Sequence, residues 1–199
     1  MRPSLARPAL AGLALLAAAL ALAQPGTALR PQPAAARPAA AAAGATALLS
    51  LEPARTVISV GQEATLDLVL DTGEAMADGV SAYLRFDPAL LEIAALEPQP
   101  ALPQVLMAAY DNPAGSLSYE AGVLGGSVTG RVTLARLRLR SRAASLGAGT
   151  WLRFDSAWPA TTDVLYRGES VLQGSHDAWV CIWPDGPYWL GWLPLVARP

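Results

Sequence analysis

The sequence predicts an all-β protein, a sandwich of two packed sheets. Three observations predict it. From Leu48 onward, short runs alternate apolar and polar residues with a period of two, as in ATLDLVL (64–70) and VSAYLRF (80–86). Turn signals separate these runs: Gly61-Gln62, Asp71-Thr72-Gly73, Asp87-Pro88, Asn112-Pro113-Ala114-Gly115 and Gly147-Ala148-Gly149. No segment of helical length carries a convincing 3.6-residue apolar period.

The elements follow in order. A strand at 56–60 is turned by Gly61-Gln62. The run 64–70 puts Leu66, Leu68 and Leu70 on one face. The run 80–86 sends Val80, Ala82, Leu84 and Phe86 inward and Ser81, Tyr83 and Arg85 outward. Asp87-Pro88 ends it, because proline cannot donate to a ladder. A short apolar strand follows at 90–95. Pro98, Pro100 and Pro103 make a loop, and 105–110 reads as a further strand. The run SLSYE (116–120) turns Leu117 and Tyr119 inward and Ser118 and Glu120 outward. The glycine-rich GVLGGSVTG (122–130) is a connection. Strands at 132–140, 151–155, 163–166 and 169–172 complete about nine in all, the number and length expected of a sandwich.

The 199-residue chain is long enough for one domain with flanking segments. Its hydrophobic content of 53 % is inflated by alanine in the first fifty residues, and all 14 basic residues are arginine. Arg2 and Arg7 precede a fifteen-residue apolar run, 9–23, and Ala21-Leu22-Ala23 forms a cleavage signal before Gln24. A run this short suits a signal peptide better than a membrane span, which needs roughly 20 residues. Cleavage after Ala28 and an uncleaved anchor are the alternatives. The expected organisation is signal peptide 1–23, Pro/Ala-rich linker 24–46, sandwich 47–174 and tryptophan-rich tail 175–199. The expected location is secreted or cell-surface, with no membrane span once the signal is removed.

Without its first 23 residues the chain has 12 Arg against 16 acids, a net charge near −4. That balance excludes nucleic acid as the main partner, which calls for a basic excess. Cys181 cannot form an internal disulfide. Between Val180 and Ile182 it reads as buried. The single histidine, His176, builds no zinc site of the usual kind and no serine triad, since no G-x-S-x-G is present. The glycine-rich 122–130 lacks the lysine and following helix of a phosphate loop. No enzyme activity, cofactor or metal is therefore expected. Asp87 reads as a turn cap.

Two features call for a partner or for water. In ARLRLRSR (135–142), Ala135, Leu137 and Leu139 take one face and Arg136, Arg138, Arg140 and Arg142 the other. Like charges roughly 7 Å apart repel by about 0.6 kcal/mol at the dielectric of water and by about 2.4 at an effective constant near 20. The row should therefore be wet or matched by acids. It is either a solvated face or a site for carboxylates. The tail holds four of the six tryptophans. It is either an aromatic patch for sugar, through Trp179, Trp183, Trp189 and Trp192 or through Trp151 and Trp158, or a cover for an open sandwich edge.

The run VGQEATLDLVLDTG (60–73), then AYLRFDPALLEI (82–93), NPAGSLSYEAG (112–122), GRVTLARLRLRSRAASLGAGTWLRF (130–154) and DVLYRGESVLQG (163–174) together resemble cohesin domains, in that order. FDPALLEI is the most specific piece. The tail and the lack of a companion module depart from the pattern. The resemblance implies a nine-stranded jelly-roll sandwich, related to carbohydrate-binding modules of families 2 and 3. It implies a non-catalytic module that binds dockerins, small calcium-loaded helical domains, across one sheet. It also implies that the strand matching 135–141 lies beside the one matching 80–86, which borders the one matching 116–120. The expected partner site is then Ser81, Tyr83, Arg85, Ser118, Glu120, Arg136, Arg138 and Arg140. A carbohydrate-binding module associated with polysaccharide degradation and a structural envelope module remain the other readings.

Overall fold

The computed structural model describes residues 46–145, 147–157 and 159–184. Thirteen strands and no helix are present among them: β1 (Ala47–Glu52), β2 (Arg55–Ser59), β3 (Glu63–Asp71), β4 (Gly79–Arg85), β5 (Leu91–Pro98), β6 (Gln104–Asp111), β7 (Ser116–Gly122), β8 (Arg131–Ser141), β9 (Thr150–Phe154), β10 (Asp163–Tyr166), β11 (Glu169–Ser170), β12 (Leu172–His176) and β13 (Ala178–Trp183). They form two sheets. One has the order β12-β1-β3-β8-β5. The other runs β11-β10-β4-β9-β13-β2, with β7 on the remaining edge of β4 and β6 outside β7.

The expected all-β sandwich is observed, with more strands than nine. The added ones are at the ends. β1 pairs antiparallel with β3 and parallel with β12, and β2 pairs parallel with β13. The first and last strands thus run side by side in one sheet and switch together to the other. The switch falls between Glu52 and Arg55 on one chain segment and at Asp177 on the other. Trp179 N–H donates to Ala54 O (2.9 Å), and the Asp177 carboxylate accepts from Phe154 N–H (2.9 Å), so both corners keep their backbone groups bonded. The sandwich accordingly extends to Trp183, past the boundary at 174. β13 lies between β9 and β2 as an internal strand, not as a cover on an edge. Cys181 is buried there.

The core is the apolar half of each alternating strand. Leu49, Leu51, Leu66, Leu68, Leu137 and Leu139 face Val80, Ala82, Leu84, Leu117, Leu152 and Val180, all buried. β8 carries an irregularity, because Leu68 pairs with Ala135 while Val69 pairs with Thr133. Leu134 is the extra residue, and both it and Ala135 are buried. Its carbonyl accepts from Gln99 N–H (2.8 Å) and from the Tyr119 hydroxyl (2.9 Å). Burial raises the Tyr119 phenol above its ordinary pKa.

Asn112, read as a turn residue, also ties the β6–β7 turn to β5. Its amide donates to Ile93 O (3.0 Å) and accepts from Ile93 N–H (2.7 Å), a side-chain copy of a ladder pair. Gly115 closes the turn at φ 63°, where an added Cβ would lie 2.3 Å from Phe86 O. Replacing Asn112 by Ala orphans two partly buried backbone groups. The expected loss is about 1–3 kcal/mol in a denaturant titration, with Asn112→Asp recovering only the N–H contact.

Candidate functional site

The eight residues expected to form one partner site occupy two opposite surfaces. β8 lies between β3 and β5, whereas β4 and β7 belong to the other sheet. Arg136, Arg138 and Arg140 therefore face away from Tyr83 across the whole sandwich. Alternation fixes which side of a strand meets the interior. It does not fix which strand lies next to it, and the expected neighbour of β8 was the wrong one.

The true neighbours answer what the arginines face. Arg136 is registered between Asp67 on β3 and Glu97 on β5, and Arg140 between Glu63 and Glu92. Arg136 Nε meets Asp67 at 3.0 Å, and that hydrogen bond raises the guanidinium pKa further. Arg140 reaches Glu63 (2.6 Å) and Glu92 (3.6 Å). Arg138 bridges diagonally to Glu97 (3.4 Å) and Glu63 (3.9 Å), and Arg142 meets Glu92 at 4.0 Å. Four carboxylates flank the three central arginines. The row is neutralised inside its own sheet and open to water. Exposed pairs of this kind contribute about 0.2–1 kcal/mol each. Arg138→Ala should lower the denaturant midpoint by the equivalent of no more than about 1 kcal/mol.

The outer face of β4, β7 and β6 keeps five of the expected residues together: Ser81, Tyr83, Arg85, Ser118 and Glu120. Ser81 is registered opposite Glu120 and Tyr83 opposite Ser118. The Tyr83 hydroxyl donates to the Glu120 carboxylate, and this hydrogen bond, with burial behind it, raises the phenol pKa. The Thr162 hydroxyl bonds Tyr83 N–H (3.1 Å) and Tyr83 O (3.2 Å), holding the strand where β10 gives way to β9. Arg85 Nε pairs with Asp155 (3.0 Å). Asp155 also accepts from Ala157 N–H (2.9 Å), and that bond, followed by Arg85, holds its carboxyl below the ordinary range.

Sequence reasoning did not single out the apolar end of this face. Leu106 is 76 % and Leu124 84 % exposed. With Leu165, Ser81, Gln104 and Glu120 they border an open cavity of about 300 Å³. Its floor passes over Gly79 and Gly122, which are registered opposite each other. A Cβ on Gly122 would come within 3.0 Å of Asp78 O. The available signal was β6 itself: Val105, Leu106 and Met107 are consecutive apolar residues in a strand exposed along its whole length. An irregularity at 105/107 explains why no clean alternation is present.

Of the expected sugar platform, Trp179 and Trp183 lie on β13. Trp179 packs on Gly149 and under the Arg55 guanidinium, 5.9 Å from the ring centroid, while Trp183 is exposed. Trp158, Trp189 and Trp192 lie outside the described residues, as do residues 1–45 of the signal and linker segments expected at 1–23 and 24–46. Trp151, directly opposite Trp179, is exposed and carries Arg153 at 5.6 Å. Among the described residues no group of three metal-ligating side chains is present, and no helix is long and apolar enough to cross a membrane. Asp87 caps its own turn through Ala89 N–H (2.9 Å).

This fold is that of cohesin domains. The third cohesin of ScaC from Acetivibrio cellulolyticus, solved in complex with the ScaB dockerin, superposes with a TM-score of 0.59 at 13 % identity, over 69 % of this chain and 99 % of that one. The seventh ScaB type I cohesin from Pseudobacteroides cellulosolvens gives 0.55 at 11 % identity, over 71 % and 94 %. A non-cellulosomal cohesin from the hyperthermophilic archaeon Archaeoglobus fulgidus gives 0.55 at 11 %, over 69 % and 91 %. No known family pattern and no curated protein matches the sequence.

A depressed carboxyl pKa stabilises the fold above the unfolded value, near 3.9, and the contribution disappears as pH falls through the lower folded value. Asp155→Asn should therefore destabilise the protein near neutral pH, and the difference from wild type should shrink in urea titrations run at about pH 3 and below.

Proposed function

We propose that this protein is an exported, non-catalytic binding module that docks a protein partner, dockerin-like in kind, on the outer face of β4, β7 and β6. The observation that carries the reading is the contrast between the two outer faces. One is a charge ladder satisfied within its own sheet. The other presents Leu106 and Leu124 to solvent beside a cavity and beside the fixed Tyr83–Glu120 pair. Exposed apolar groups around a pocket and rimmed by polar side chains mark interaction sites. The cohesin fold adds weight, since the Acetivibrio relative is solved on a dockerin. The apolar 9–23 run supports export.

The test is binding of a panel of calcium-loaded dockerin modules to the immobilised protein. Burying Leu106 against a partner is worth about 1.5–3 kcal/mol, so Leu106→Asp should weaken the best binder by about tenfold to a hundredfold. The Arg136/Arg138/Arg140→Ala triple variant should retain it. Binding lost in the triple variant and kept in Leu106→Asp would move the site to the other sheet.

A further inference from the structure

The far half of the same outer face lies where β4 gives way to β9 and β13. Nine arginines fall within the described residues. Six of them have a carboxylate within 4.0 Å: Arg85, Arg131, Arg136, Arg138, Arg140 and Arg142. The remaining three, among the described residues, have none, and each lies over an aromatic ring instead. Arg55 covers Trp179, Arg153 covers Trp151 and Arg167 covers Tyr166. Two of these three fall on neighbouring strands, because Trp151 and Trp179 are registered partners.

Arg153 is in an unusual position. It is registered directly opposite Arg85, so two guanidinium groups meet across β4 and β9. Like charges directly opposite each other are destabilising. A single carboxylate, Asp155, serves the pair, and it bonds Arg85. The Arg153 guanidinium lies over the Trp151 ring, 5.6 Å from its centroid, within cation–π range. Among the described residues no carboxylate lies within 4.0 Å of it, so its N–H donors are open to a carboxylate, which a guanidinium binds bidentately.

These groups line a cleft. Arg85, Arg153, Trp151, Asp87, Gly149 and Thr150 border an open cavity of about 360 Å³, within the range of small-ligand sites. Trp151 is 43 % exposed, enough to offer indole surface beside its arginine. The Asp87 carboxylate is engaged at one oxygen by its own turn. Beyond the cleft, Trp179 with Arg55 and then exposed Trp183 extend the surface along β13. The partly or fully exposed outward positions of β9, β13 and β2 carry Arg55, Val57, Ser59, Trp151, Arg153, Trp179 and Trp183, with no acid among them, while Cys181 between them is buried. On a chain with more acids than bases, this is a locally cationic, aromatic strip.

We propose that the Trp151–Arg153–Arg85 cleft binds a carboxylated sugar, and that the strip along β13 follows a polyuronate chain bearing it. The pyranose ring lies against the indole of Trp151, the uronate carboxylate takes the free edge of Arg153, and Asp87 accepts from ring hydroxyls. Charge complementarity selects this occupant. A neutral glucan would leave Arg153 without a counter-charge, since Asp155 serves Arg85. This site is distinct from the Leu106 face and does not depend on its reading.

The test is affinity electrophoresis of the purified full chain in gels containing polygalacturonate, with methyl-esterified polygalacturonate as the arm that keeps the sugar and removes the charge, and dextran as a neutral glucan arm. Polygalacturonate should retard the wild type, and the other two polymers should not. Trp151→Ala and Arg153→Gln should each weaken retardation by about tenfold or more, with thermal melts unchanged because both side chains are exposed. Leu106→Asp should leave retardation intact, which separates this site from the protein-docking face. Absence of retardation in polygalacturonate would overturn the proposal. So would equal retardation by dextran, or retardation that survives in both variants.

Discussion

The structure depends on the apolar contact between its two sheets, and β8 shows how that contact organises everything outside it. Leu137 and Leu139 are fully buried. Because side chains alternate along a strand, burying them forces Arg136, Arg138 and Arg140 into water. The same rule turns Tyr83 and Glu120 outward once Ala82, Leu84 and Tyr119 are inside. The outer faces are therefore consequences of the core. What differs between them is how each meets its own charges. On β3, β8 and β5, acids stand registered beside the arginines and the surface is closed to further demand. On β6, β7, β4, β9, β13 and β2, apolar groups and unpaired guanidiniums are left over.

That outer face divides along its length. At the β6 end, leucines border a cavity over two glycines, a surface that gains by excluding water. At the β13 end, indoles lie beneath arginines that, among the described residues, have no carboxylate within 4.0 Å, the surface proposed for an anionic ligand. Between them, the Tyr83–Glu120 and Arg85–Asp155 pairs hold β4 in a fixed setting. The docking face proposed for a protein and the cleft proposed for an acidic polymer lie on one continuous sheet.

Much of the fold was legible in the sequence because period-two alternation is a local signal. β3, β4, β7 and β8 read from their leucines, and the inward and outward assignments of Tyr83, Arg85, Ser118 and Glu120 follow from it. The pairing of strands far apart in the chain is not local, and there the reading failed. Nothing in ARLRLRSR names Glu63, Asp67, Glu92 and Glu97 as its neighbours. Alternation in β3 offers its acids to any strand with arginines at the matching spacing, and only the assembled sheet shows that β8 is the one. The terminal switch was hidden for the same reason, since β1 and β13 gain their meaning from β12 and β2. β6 was found as a strand, but its irregularity at 105/107 erased the pattern that would have marked Leu106 as a surface residue.

The central claim is that this protein engages a partner through β4, β6 and β7 and leaves the arginine ladder wet. Backbone hydrogen exchange, measured on the chain alone and in complex with a bound dockerin-type partner, tests it most directly. The account predicts new protection confined to 79–85, 104–111 and 116–124. Protection appearing instead along 63–71 and 131–141, with 104–111 unchanged, would contradict it.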